Sequence, residues 1–156
     1  MYKTIYLSGA MEFYYENGER AKAEKWREEA ERFFDDGFVC SNPCIFGFDQ
    51  CGDKGDKNDH EIMRFDLRKV RESDIILVNL KDIRNSIGTS DEILYGFISQ
   101  KPVIGFIESE KKMTKQEIMD YVHKWKFEQI DRIETGKNAQ LKAMEYILFA
   151  YGGVYR

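Results

Sequence analysis

The residues in this chain best suited to chemistry are carboxylates set beside glycine and hydroxyl groups. Gly88-Thr89-Ser90-Asp91-Glu92 follows a polar loop and opens a helical pattern, which puts Glu92 in the first turn of that helix. A helix N-terminus favours a nearby anion by about 0.3 to 1 kcal/mol, and a glycine there lets a ligand approach the backbone. An ionised carboxylate facing a pocket is a candidate nucleophile. The same stretch also spells a capping box, in which Thr89 caps and Glu92 reaches back to the backbone, and spacing leaves both readings open. Asp66 is the second candidate, because aspartate is a poor interior helix residue and it falls near the middle of a helical pattern. A surface ion pair with Arg64, Arg68 or Lys69 would account for it as well. Metal chemistry is poorly served: Cys40, Cys44, Cys51 and His60 lack the close paired spacing of structural zinc sites. Asp49, Asp53, Asp56 and Asp59 do not match a calcium loop.

The elements that must position these groups alternate between strand and helix. Thr4 to Leu7 reads as a first strand ending in the turn Ser8-Gly9-Ala10, on the same sheet edge as Glu92. A helix from Glu19 to Asp36 carries Trp26, Ala30, Phe33 and Phe34 on a core stripe, and Gly37 ends it before a short strand from Phe38 to Cys40. The loop from Ser41 to Asp59 embeds Phe46 and Phe48 among polar residues, either as a lid whose rings stack on a base or as a solvated connection.

His60 to Glu72 reads as a helix with Ile62, Met63, Leu67 and Val70 inward. Ile75 to Val78 and Val103 to Ile107 are apolar strands around a helix from Ser90 to Gln100 that buries Ile93, Phe97 and Leu94. Thr114 caps a helix to about Lys124, Phe127 to Ile133 is an edge strand, and Asn138 caps a last helix with Leu141, Met144, Leu148 and Tyr151 on one face. The pattern predicts one α/β domain over residues 1–156, a flavodoxin-like three-layer sandwich with a mostly parallel sheet of four or five strands.

Composition narrows the partners. A net charge of −4 and a pI of about 5.3 lack the basic bias of a nucleic-acid polymer binder, while free nucleosides or nucleotides stay possible. No apolar run approaches the length of a membrane span, and MYKTIYLSG leads straight into a strand, so a cytoplasmic protein with free thiols is expected.

Thr4-Ile5-Tyr6-Leu7-Ser8-Gly9-Ala10, Asp66-Leu67, Ser73-Asp74-Ile75-Ile76-Leu77, Gly88-Thr89-Ser90-Asp91-Glu92 and Lys101-Pro102-Val103, in this order, resemble the successive motifs of the nucleoside 2-deoxyribosyltransferase superfamily. That superfamily also holds nucleoside 5′-monophosphate N-glycosidases. The resemblance implies a nucleophilic Glu92, an Asp66 that handles the proton on the departing and arriving base, and a Tyr6 that orients the Glu92 carboxylate. Gly9, Gly88, Phe46, Phe48, Ser86 and Tyr155 are the implied substrate contacts. No metal or organic cofactor is required.

A glycosyl-glutamate attacked by a second base gives transfer of deoxyribose; attacked by water, it gives hydrolysis. Ser86 stands where the transferases typically carry an aspartate and resembles the serine that helps the monophosphate hydrolases hold their 5′-phosphate. Glu12 stands near the place where those hydrolases use an arginine, and would repel that phosphate. Tyr151-Gly152-Gly153-Val154-Tyr155 resembles the closing residues of the transferases, whose terminal tyrosine enters a neighbouring subunit's site, and so implies a homo-oligomer; here Arg156 follows it. A non-catalytic nucleotide-binding module and a purely structural α/β domain are the other readings.

Overall fold

The computed structural model describes residues 2–46 and 58–152. Five strands, β1 (Lys3–Gly9), β2 (Phe38–Ser41), β3 (Ile75–Asn79), β4 (Val103–Glu108) and β5 (Arg132–Gly136), form one sheet in the order β2-β1-β3-β4-β5. All four pairings are parallel, as the alternating pattern predicts. The helices are α1 (Glu12–Glu16), α2 (Arg20–Phe33), α3 (Asn58–Glu72), α4 (Ile87–Ile98), α5 (Lys115–Val122), α6 (Lys124–Glu128) and α7 (Ala139–Tyr151). No helix among the described residues is long and apolar enough to cross a membrane.

Strand alternation divides the core into two layers. Ile5, Leu7, Ile75, Leu77, Ile104 and Phe106 face α2 and α7, where Trp26, Ala30, Phe34, Ala143 and Ile147 meet them. Tyr6, Ile76, Val78, Val103 and Ile107 face the other way, toward Val70 of α3, Ile93 of α4 and Ile118 and Val122 of α5. The strand order turns back between β1 and β3, and in such sheets the crevice at the carboxyl ends of those two strands is where ligands bind.

Two helices are turned relative to the sequence expectation. On α4 the buried residues are Thr89, Glu92, Ile93 and Gly96, while Leu94 and Phe97 are 38% and 52% exposed. The reason is Gly96: a Cβ there would lie 2.2 Å from Ile76 Cδ1, so the helix seats its glycine, not its largest apolar residues, on the sheet. On α7 the small residues Ala139 and Ala143, with Gln140, Met144 and Ile147, face inward, leaving Leu141 and Leu148 largely exposed. On α3 Val70 is buried as expected, but Met63 is 46% exposed. The last strand begins at Arg132, because Phe127 belongs to α6. Thr114 does cap α5, in a reciprocal pair with Glu117.

Candidate functional site

Glu92 lies at the heart of a cleft of about 660 Å³ at the carboxyl ends of β1 and β3, within the usual range for a small-molecule site. It is buried, and two hydroxyls from the same face of β1 donate to it: Tyr6 Oη to Oε1 at 2.8 Å, and Ser8 Oγ to Oε2. Tyr6 and Ser8 share that face because strand side chains alternate. Glu92 descends to them because Gly96, one turn further along α4, lets the helix close on Ile76 and Val103.

The capping-box reading of Glu92 is overturned by this geometry. α4 begins at Ile87, three residues ahead of the expected start at Ser90, with Ser86 as its cap accepting from the Thr89 amide at 3.4 Å. Glu92 thus sits in the second turn, and its carboxylate is spent on Tyr6 and Ser8 rather than on the backbone. Nor does the helix terminus hold the carboxyl low. Burial pushes Glu92 up to about 7, against the pull of the Ser8 and Tyr6 hydroxyls, while the negative charge of Asp66 adds to the rise and the positive charge of Arg27 opposes it.

Asp66 lines the same cleft from α3. Among the described residues it makes no ion pair with Arg64, Arg68 or Lys69; Arg68 and Lys69 bond Glu72 instead. Burial pushes Asp66 up to about 6, opposed by Arg27. Two carboxyls that both titrate near neutrality, one carrying two hydroxyl donors and the other open to the cleft, are a pair able to divide anionic and proton-donating roles. Tyr6 is held well above the ordinary phenol range by its burial and by the Glu92 charge, so it serves as a hydroxyl donor.

Gly9, Ser86 and Gly88 also line the cleft. Gly9 is a packing requirement: a Cβ there would lie 2.9 Å from Trp26 Cζ2. The Ser86 hydroxyl is engaged with Thr89 Oγ1 at 2.7 Å. Phe46 packs edge-on against Phe65 of α3, with ring centroids 5.1 Å apart, and is not among the residues lining the cleft. Phe48 and Tyr155 lie outside the described residues.

Ser8 is the site residue that sequence reading missed, although its place two residues after Tyr6 on one strand is a period-two signal. Glu12 lines the cleft, at the place the resemblance gave it, whereas Glu16, Phe13 and Tyr15 from the stretch after β1, and Asp59 and Asp91, were not expected as lining residues. Phe13, Tyr15 and Glu16 escaped because the five-residue helix α1 is too short to show a period.

The comparisons with known proteins agree on the fold. The chain is similar in structure to the 2-deoxyribosyltransferase of Bacillus psychrosaccharolyticus, with a TM-score of 0.57 and 22% identity over 77% of this chain and 82% of that one. It is similar to a conserved protein from Enterococcus faecalis V583, with a TM-score of 0.66 and 13% identity over 94% and 99% of the two chains. It is similar also to the CMP N-glycosidase of Clostridium botulinum, with a TM-score of 0.55 and 16% identity over 94% and 99%. No curated protein sequence matches it significantly. The sequence profile of the nucleoside 2-deoxyribosyltransferase family, however, matches residues 5–144, nearly the whole described chain, and the chain belongs to that family.

Proposed function

We propose that the protein cleaves the N-glycosidic bond of 2′-deoxynucleosides and transfers the deoxyribose to an acceptor base through a covalent glycosyl-glutamate. The observation that carries this reading is the buried Glu92 gripped by Tyr6 and Ser8 on the cleft floor. As the bond to the base breaks, positive charge builds at the anomeric carbon. Glu92, ionised, meets that charge and bonds the carbon, and the two hydroxyls hold its oxygens in register for the attack.

Asp66 delivers the proton that the departing base needs and recovers it from the incoming one. In the open cleft, with both hydroxyl bonds already acting on it, Glu92 has the higher value and holds the shared proton. A bound nucleoside covering Asp66 strips that carboxyl of water and raises it above Glu92. The proton then resides on Asp66 and the charge on Glu92, which is the arrangement the chemistry needs.

Hydrolysis of nucleoside 5′-monophosphates is the second reading, and Ser86 in the cleft supports it. The charge of the cleft favours the first, since Glu12, Glu16, Asp59, Asp66, Asp91 and Glu92 line it and no lysine, arginine or histidine does so among the described residues. A homo-oligomer is part of the same reading. Ile87, Leu94, Phe97 and Ile98 give α4 an exposed apolar flank that starts at the cleft mouth, a surface suited to a second copy, and sedimentation of the full chain reads this directly.

The test is Glu92→Gln. An amide offers no anion to the developing oxocarbenium, so base release should fall at least about a thousandfold, roughly 4 kcal/mol in barrier. Wild type quenched with a deoxynucleoside should show a deoxyribosyl adduct on the peptide carrying Glu92. Near-full turnover in the variant would end the assignment.

A further inference from the structure

Arg27 of α2 is fully buried, yet the chemistry above gives it no task. Each of its three guanidinium nitrogens donates to a backbone carbonyl: Nη1 to Ala23 at 2.6 Å, Nε to Leu7 at 3.1 Å and Nη2 to Gly9 at 2.9 Å. Among the described residues it has no ion pair. A buried charge with no counter-ion is costly, so its surroundings must give something in return.

The strand register shows what the guanidinium does for the backbone. The Thr4 carbonyl accepts from the Asp74 amide on the β3 side, so the carbonyls of Leu7 and Gly9, an odd number of residues further on, face the β2 side. There β1 outruns its neighbour, because pairing with β2 stops at Tyr6↔Ser41. Arg27 takes the place of the missing strand and satisfies both carbonyls. Ser8 lies between those two anchor points, with Tyr6 just before them, and both point to the opposite face of the sheet, where Glu92 is. The clamp is itself held: the guanidinium stacks 4.6 Å over the Trp26 ring, and Gln140 of α7 donates to the Trp26 carbonyl at 2.8 Å.

We propose that Arg27 is a positioning residue for this site: it clamps the overhanging end of β1 so that Tyr6 and Ser8 present their hydroxyls to Glu92, while its buried positive charge lies behind that strand on the other face of the sheet. The inference rests on Glu92 being the ionising nucleophile. The other groups facing Glu92 are Tyr6 and Ser8 from β1 and Asp66 from α3; Lys126 of α6 is engaged with the Ser90 carbonyl and lies near Asp91. Among the described residues Arg27 is the cation whose charge draws both Glu92 and Asp66 downward.

The experiment compares pH–rate profiles of wild type, Arg27→Lys and Arg27→Met, with melting temperatures alongside. Arg27→Met should move the acid limb up, because a positive charge beside the pair is lost, and lower kcat about a hundredfold, with KM changed far less. Arg27→Lys should return the limb close to its wild-type position, because the charge is kept. A Met variant with an unmoved limb and near-normal kcat, whatever its melting temperature, would overturn the inference.

Should the Met variant not fold, wild type labelled with 15N-arginine decides. The Arg27 Nε resonance should titrate with the midpoint of the acid limb and lose that step in Glu92→Gln, and a flat resonance overturns the inference. An active Glu92→Gln would sink the proposed function itself. An inactive Glu92→Gln with an unmoved Arg27→Met profile would sink only the role of Arg27.

Discussion

A carboxyl held above its ordinary value is a cost the fold carries, and Glu92 makes the cost measurable. Its folded value near 7 lies above the 4.5 of an exposed glutamate. Between those values the folded state binds the proton more tightly than the unfolded one, so stability is withdrawn as pH rises. The penalty is absent below about pH 4.5 and complete above about pH 7, where it amounts to roughly 3 kcal/mol. Glu92→Gln removes that penalty while the amide can still bond the two hydroxyls. Melts of the two proteins across this window should show the variant gaining on wild type as pH rises; a difference that stays flat would mean that Glu92 ionises freely. The residue that loses the reaction thus gains stability, as expected where a site is strained for its chemistry.

At the level of the element, α4 shows how far a hydrophobic pattern can mislead. Period counting expects Ile93, Leu94 and Phe97 inside, but only Ile93 is, because contact distance rather than hydrophobicity chooses the buried face when a glycine allows closer approach. Gly96→Ala should therefore do more than overpack. The new methyl would press on Ile76 Cδ1, at a cost of about 1 to 3 kcal/mol, and would lift Glu92 from Tyr6 and Ser8, so that kcat falls about tenfold or more. Ile76→Val removes the offending carbon and should restore much of both. Kinetics and melts of the single and double variants check this, and unchanged kcat in Gly96→Ala would show that α4 does not set the position of Glu92.

The alternating strands and helices of one parallel sheet were legible in the sequence as local signals, and the pairing of Tyr6 with Glu92 came from the resemblance to the family's motifs. The start of α4 was not, because Ser86 and Thr89 are equally good caps by type and only the tertiary fit decides between them. Arg27 was not legible either. Nothing in the spacing of an arginine on a helix distinguishes a solvated one from one that closes the end of a strand.

For the molecule as a whole, the net charge of −4 is concentrated at the cleft, whose charged lining is all carboxylate among the described residues. A 5′-monophosphate should enter it against repulsion, so kcat/KM for a deoxynucleoside should exceed that for its monophosphate by about tenfold or more, roughly 1.4 kcal/mol, and added salt should narrow the gap by screening. Steady-state assays of both substrates at two ionic strengths decide it; a tenfold preference for the monophosphate would favour the hydrolase reading. The clamp on β1 has a further consequence, for how the protein is made. Tyr6 precedes its carboxylate by 86 positions. At synthesis rates of about 5 to 20 residues per second, the strand waits roughly 4 to 17 s for Glu92. Gln140, which steadies Trp26 beside the clamp, emerges later still. Until β3 and then Glu92 emerge, the β3 edge of β1 and the face carrying Tyr6 and Ser8 stand uncovered on the nascent chain, so this part of β1 is a segment a chaperone has reason to hold.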